Sequence, residues 1–109
     1  MEKKEKKKIF DKLKIWINEN LKGARIEGNS IKIPSMNVGE AKEIIGKFIR
    51  DTFPEKRYEV FNVTHCLNDC FIPFQDMTKG AKLKAIVFKL SWVNNQENDS
   101  QEICILTIV

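Results

Sequence analysis

The strongest constraint on what this chain can fold into lies at its end. Residues 83–93 read Leu-Lys-Ala-Ile-Val-Phe-Lys-Leu-Ser-Trp-Val and residues 101–109 read Gln-Glu-Ile-Cys-Ile-Leu-Thr-Ile-Val, separated by the polar stretch 94–100. Two such apolar runs around a polar connection predict a long hairpin. Alternate side chains of a strand share a face, so Ile86, Phe88, Leu90 and Trp92 point together toward a core. Lys89 and Ser91 fall on the other face among smaller apolar residues. The last run is apolar on both faces, with Ile103, Ile105 and Val109 on one and Cys104, Leu106 and Ile108 on the other. That pattern predicts a place in the middle of a sheet.

The start of the chain reads differently. Over residues 2–21, Ile9, Phe10, Leu13, Trp16, Ile17 and Leu21 fall within an arc of roughly 140° at helical spacing, wide enough to lie on a sheet. Gly23 is placed to stop that helix. Its opposite face gathers Lys4, Lys8, Lys12 and Lys22 around Ile15, with Asp11 and Glu19 at the sides. A single exposed Ile is ordinary on any surface, but ringed by lysines it can also form the apolar centre of a contact patch.

Residues 24–33 predict a tight hairpin about Gly28-Asn29, with Ile26 opposite Ile31 and Ala24 opposite Ile33, ended by Pro34. Asn37, with Glu40 three residues later, predicts the cap of a second helix. Ala41, Ile44, Ile45, Phe48, Ile49 and Thr52 make its inner stripe, and Phe53-Pro54 end it. Gly46 in mid-helix suggests a close approach to the sheet. Residues 58–65 alternate weakly, as one strand would, with Tyr58, Val60 and Asn62 on one side and Phe61 and Val63 on the other. Residues 66–80 are the least regular. Phe71-Ile72-Pro73-Phe74 is too apolar to float free, yet Pro73 cannot donate to a ladder, which points to an edge strand or a packed loop. Lys79-Gly80 supplies a turn into the final hairpin.

Together these predict an α+β fold: a single domain in which two helices pack on a mostly antiparallel sheet of about five strands. At 109 residues one core is affordable without staples. A hydrophobic fraction of 42% argues against disorder. No apolar run approaches the roughly 20 residues of a membrane span. The basic start resembles the opening of a signal peptide, but Asp11, Lys12 and Lys14 interrupt the apolar segment that should follow. Three cysteines fit a reduced, cytoplasmic setting better than a disulfide framework. The formal charge of +4 is uneven: residues 1–57 hold 15 Lys and Arg against 9 Asp and Glu, whereas residues 58–109 hold 4 against 6. An electrostatic partner therefore meets the N-terminal half first.

Chemistry is harder to find. His65, Cys66, Cys70 and Cys104 are the one set of soft ligands, and zinc would need about four of them together. Adjacent His65 and Cys66 point to opposite sides of a strand, and Cys104 lies among apolar neighbours, where free cysteine behaves as a small apolar residue. The carboxylates Asp51, Glu59, Asp69 and Asp76 are scattered, and there is no phosphate-cradling glycine loop or nucleophile elbow. The expected function is that of a small non-catalytic cytoplasmic binding protein using no cofactor. Lys4, Lys8, Lys12, Ile15 and Lys22 would contact a partner protein, one that handles nucleic acid and so presents an acidic or phosphate-like surface. A motif-free, lysine-rich fold of this size suits a phage or mobile-element accessory acting as an inhibitor. A second expectation is direct nucleic-acid binding, because Lys3, Lys4, Lys6, Lys7, Lys8, Lys12, Lys14, Lys22 and Arg25 concentrate charge; Phe10 and Trp16 would then lie on the buried arc, away from the lysines. A third is a small enzyme or zinc-binding domain. The chain would be a monomer, or a homodimer joined edge to edge if the final hairpin leaves a ladder unpaired.

Overall fold

The final hairpin forms the middle of one antiparallel sheet that carries both helices on a single face. In the computed structural model, which describes residues 2–80, 84–95 and 98–109, the elements are α1 (Lys3–Asn20), β1 (Arg25–Glu27), β2 (Ser30–Pro34), α2 (Val38–Thr52), β3 (Tyr58–Val60), β4 (Thr64–Cys66), β5 (Asp69–Asp76), β6 (Ala85–Asn95) and β7 (Asn98–Ile108). The strands run in the spatial order β1-β2-β7-β6-β5-β3, with β4 also on β5. This is the predicted α+β architecture, with seven strands in place of about five.

Of the two additional strands, one comes from a break in the run 58–65 and the other from the irregular segment 66–80. The run 58–65 is not one strand. It breaks into β3 and β4, which pair with the same edge of β5. Asn62, between them, has φ of 41°, and the alternation changes phase there: Val63 packs against the core, and the Phe61 N–H donates to the carbonyl of Pro73 at 3.0 Å. The segment 66–80 contributes β5, which is interior and not the edge strand or loop that Pro73 suggested. In an antiparallel strand a residue's N–H and C=O point to the same neighbour. The Pro73 carbonyl faces β3, so its missing N–H also faces that side, where the neighbour is interrupted. The ladder to β6 is left whole, from Asp69 opposite Ser91 to Gln75 opposite Ala85.

Two turns close tight hairpins with the same backbone. Gly28-Asn29 joins β1 to β2 with Ile26 opposite Ile31, as expected. Leu67-Asn68 joins β4 to β5 with Cys66 opposite Asp69. In each, φ is positive at the first central residue, 58° at Gly28 and 56° at Leu67, as a type II′ turn requires. Elsewhere the strands of the last hairpin run further into the polar stretch than expected, with Asn94 opposite Glu102 and a register shift beyond. Its start at Leu83 lies outside the described residues.

The core is one cluster. Leu13 and Ile17 of α1 and Ala41, Ile45, Phe48 and Ile49 of α2 meet Ile31, Ile33, Cys70, Ile72, Phe74, Ile86, Phe88, Leu90, Cys104 and Leu106, the inward set of four adjacent strands. A chain of aromatic contacts, Trp16 to Phe48 to Phe53 to Tyr58 with ring centroids 5.9–6.5 Å apart, ties α1, α2 and β3 together. The Trp16 indole N–H donates to Asp51 at 2.9 Å, and that of Trp92 to the Met36 carbonyl at 2.8 Å. The Asn37 side chain caps α2 by accepting from the Glu40 N–H at 2.8 Å. Gly46 does not mark a close approach to the sheet. A Cβ there would meet only the Arg50 guanidinium, at 3.3 Å.

No described element covers the other face of the sheet. There Ile103, Ile105, Val87, Phe71 and Pro73 are half-buried by their neighbours alone, and Phe61, Val93 and Val109 are exposed.

Candidate partner-binding surface

Five of the expected contact residues, Lys4, Lys8, Lys12, Ile15 and Lys22, are all exposed. Leu13 and Ile17 turn α1 toward the sheet, which throws Ile15, Lys4 and Lys8 to the opposite side of the helix. Ile15 is 61% exposed. Lys12 leans toward α2, its Nζ 5.7 Å from the centre of the Phe53 ring, and Lys22 lies past the end of the helix. The outward face is therefore a lysine row with one apolar side chain in it.

The structure adds a second basic feature on the flank of the same helix. Lys3, Lys4, Lys6 and Lys7 line a groove of about 710 Å³ with Phe10, Asn29, Thr107 and Ile108. Phe10 is only half-buried, and Lys14 sits over its ring at 5.5 Å from the centroid. Contrary to expectation, one aromatic does lie among the lysines. Trp16 does not; it is held in the seam between the helices.

Electrostatically the first turns of α1 are unfavourable to the fold. The positive end of the helix dipole is stabilised by acids and destabilised by bases. Glu5 is the sole acid of the first turn, no side chain caps the helix, and Glu5 is itself paired with Lys84 at 3.7 Å. Lys14 is bridged to Asp11 at 3.2 Å. Among the described residues Lys3, Lys4, Lys6, Lys7 and Lys8 carry no ion pair. Lys3, Lys4 and Lys6 stand in the first turn beside the positive helix end and Lys7 and Lys8 follow it. Against these five cations the same stretch offers only Glu2 and Glu5, an excess of positive charge ready for an anionic partner.

The soft-ligand set does not assemble. The pairing of β4 with β5 puts Cys66 on the uncovered face, whereas Cys70 and Cys104 are buried among the helices' side of the sheet. Among the described residues no three candidate metal ligands come together. Burial, with Cys70 close by, pushes the Cys104 thiol up to about 12, and burial raises Cys70 as well. Both remain protonated thiols at neutral pH and act as core side chains.

Each of the scattered carboxylates has a structural partner. Asp51 takes the Trp16 indole, Glu59 takes Arg57 at 2.8 Å, and Asp69 takes the Ser91 hydroxyl at 2.7 Å. Asp76, 3% exposed, accepts from the Thr78 N–H at 2.9 Å with Lys56 at 3.8 Å. No described helix is long and apolar enough to cross a membrane. No protein-family model, curated protein or solved structure matches the chain, and its function has to follow from its own surface chemistry.

Proposed function

We infer that this is a non-catalytic binding protein that captures an acidic partner protein through α1. The observation that carries the reading is the set Lys3, Lys4, Lys6, Lys7 and Lys8, which carry no ion pair among the described residues and gather at the start of α1, where they are least welcome to the fold. Lys12, Ile15 and Lys22 extend the contact along the outward face. Ile15 would be its desolvated centre and the lysines its rim, an arrangement in which charge speeds and orients encounter while a small apolar core supplies affinity. A partner that handles nucleic acid, with a surface shaped to hold phosphates or to mimic them, has the required sign.

A second reading, direct nucleic-acid binding, is favoured by one observation: Phe10 lines the lysine groove, where a base or sugar could rest while the ammonium groups hold phosphates. One experiment separates the two. The immobilised protein is exposed to nuclease-treated lysate, and in parallel to labelled single- and double-stranded DNA and RNA over a salt series, using wild type and the Lys4→Glu/Lys8→Glu/Lys12→Glu variant. Capture of a protein that survives nuclease and is lost in the variant is the expected result. Binding to bare nucleic acid that falls steeply with salt and vanishes in the variant would replace the first reading with the second. Capture by the variant equal to wild type would remove α1 from both.

A further inference from the structure

We propose that the uncovered face of the sheet is the interface of a symmetric homodimer in which two copies stack sheet on sheet. Edge-to-edge joining through the last hairpin is not available over its paired length, because β2 flanks β7 and β5 flanks β6. The outer edges are also poor templates. β1 is three residues long and carries Arg25 and Glu27, and the β3–β4 edge is broken at Asn62. What remains unsatisfied is a face, not an edge.

Three observations choose a second copy as its occupant. The first is size. Six strand positions about 4.8 Å apart, with ladders of three or four residue pairs toward the edges and seven or eight at the centre, each residue rising about 3.4 Å, make a face on the order of 25 by 20 Å. Covering it removes on the order of 500 Å² from each copy and about 1,000 Å² in total, the size of a weak, concentration-dependent interface. The second is charge. The described ions on this face are paired within it: Lys32 and Arg25 share Glu27, at 2.7 and 3.9 Å, Lys89 meets Asp69 at 3.7 Å and Arg57 meets Glu59 at 2.8 Å, which leaves one positive charge. A chain of formal charge +4 repels its own copy far more through α1 than through this face.

The third is self-complementarity. The ladders put Lys32 opposite Ile105, Ile105 opposite Ser91, and Ser91 opposite Asp69. Lys32 and Asp69 thus lie in one row, equally far from the seam between β7 and β6 that bisects the sheet. A twofold axis along that seam, midway between two stacked sheets, lays Lys32 of each copy over Asp69 of the other. The same axis lays Ile103 of each copy over Val93 of the other, and Val87 of each over Val109 of the other. Isologous contacts need such a match of a patch with itself, and aligned sheets about 10 Å apart are the ordinary geometry for it.

The test is the molar mass in solution by sedimentation equilibrium, from about 1 to about 100 μM, the range in which interfaces of this class with modest affinity assemble. Wild type is expected to reach twice the 12.7 kDa chain mass. Ile105→Arg, which places a cation at the centre of the face, and Val93→Lys, at a position already 43% exposed, should each stay monomeric with an unchanged far-ultraviolet circular dichroism spectrum. Lys32→Glu should weaken association at least tenfold, and the Lys32→Glu/Asp69→Lys exchange should recover most of that loss. A monomeric wild type, or a dimer indifferent to both Ile105→Arg and Val93→Lys, would overturn the proposal. A dimer sensitive to those two but not improved by the charge exchange would overturn its twofold axis.

Discussion

Asp76 is the one buried charged side chain among the described residues, and its surroundings decide how the fold responds to acid. The Thr78 hydroxyl and backbone N–H hold its carboxyl below the ordinary 3.8, with Lys56 adding to the effect, and these outweigh the opposite push of burial. The nearby carboxylate in turn adds to burial in raising Tyr58. A carboxyl with a lower pKa folded than unfolded contributes stability above its unfolded value, and that contribution is lost as pH falls through the folded value. Asp76→Asn can still accept the Thr78 N–H but cannot ionise. Thermal melts from about pH 6 to about pH 2 should therefore show wild type ahead of the variant, by on the order of 1 kcal/mol, with the gap closing in acid. A gap that does not change with pH would show that Asp76 acts by shape alone.

At the scale of elements, the β4–β5 turn places a leucine where its companion turn places a glycine. Leu67 is fully exposed and has a φ of 56°, so it has left-handed backbone strain and no burial to offset it. Leu67→Gly should stabilise the protein by about 1 kcal/mol, the steric cost of that region for a residue with a Cβ. The check is the midpoint of urea unfolding at unchanged slope. A lower midpoint would mean that the leucine side chain is held by something the folded chain supplies. The same residue explains which parts of the fold were legible. Gly28-Asn29 announces its turn, Asn37 announces its cap, and the alternation of Ile86, Phe88, Leu90 and Trp92 announces the central strand. Leu67-Asn68 carries no glycine and Pro73 argues against an interior strand, so β4 and β5 stayed hidden. They form because the break at Asn62 accommodates a missing N–H, a relation between two strands that neither segment displays by itself. The lysine face was legible for the opposite reason: helical spacing alone assigns Lys4, Lys8 and Ile15 to one side. The groove beside it was not, since Asn29, Thr107 and Ile108 reach it from distant parts of the chain.

Seen as a whole, the molecule has two unfinished surfaces on opposite sides, one basic and helical, the other flat, largely apolar and nearly neutral. Joined through the flat face, two copies would turn both α1 helices outward, and a partner with repeated acidic sites would then be held at both, which multiplies affinity without any new contact. The basic surface has a consequence for stability that the flat one lacks. If the lysines at the start of α1 serve capture, they oppose the helix dipole and repel one another in the free protein, a conflict of the kind that marks functional sites. The Lys3→Glu/Lys4→Glu/Lys6→Glu variant, which reverses the lysines of the first turn and should weaken capture, should then melt a few degrees above wild type at low ionic strength. That gain should shrink toward zero as salt approaches about 1 M, where charges more than about 3 Å apart are screened. A variant that melts below wild type at every salt concentration would show that the lysines support the fold. The case for an anionic partner would then lose its main physical ground, whatever the variant captures.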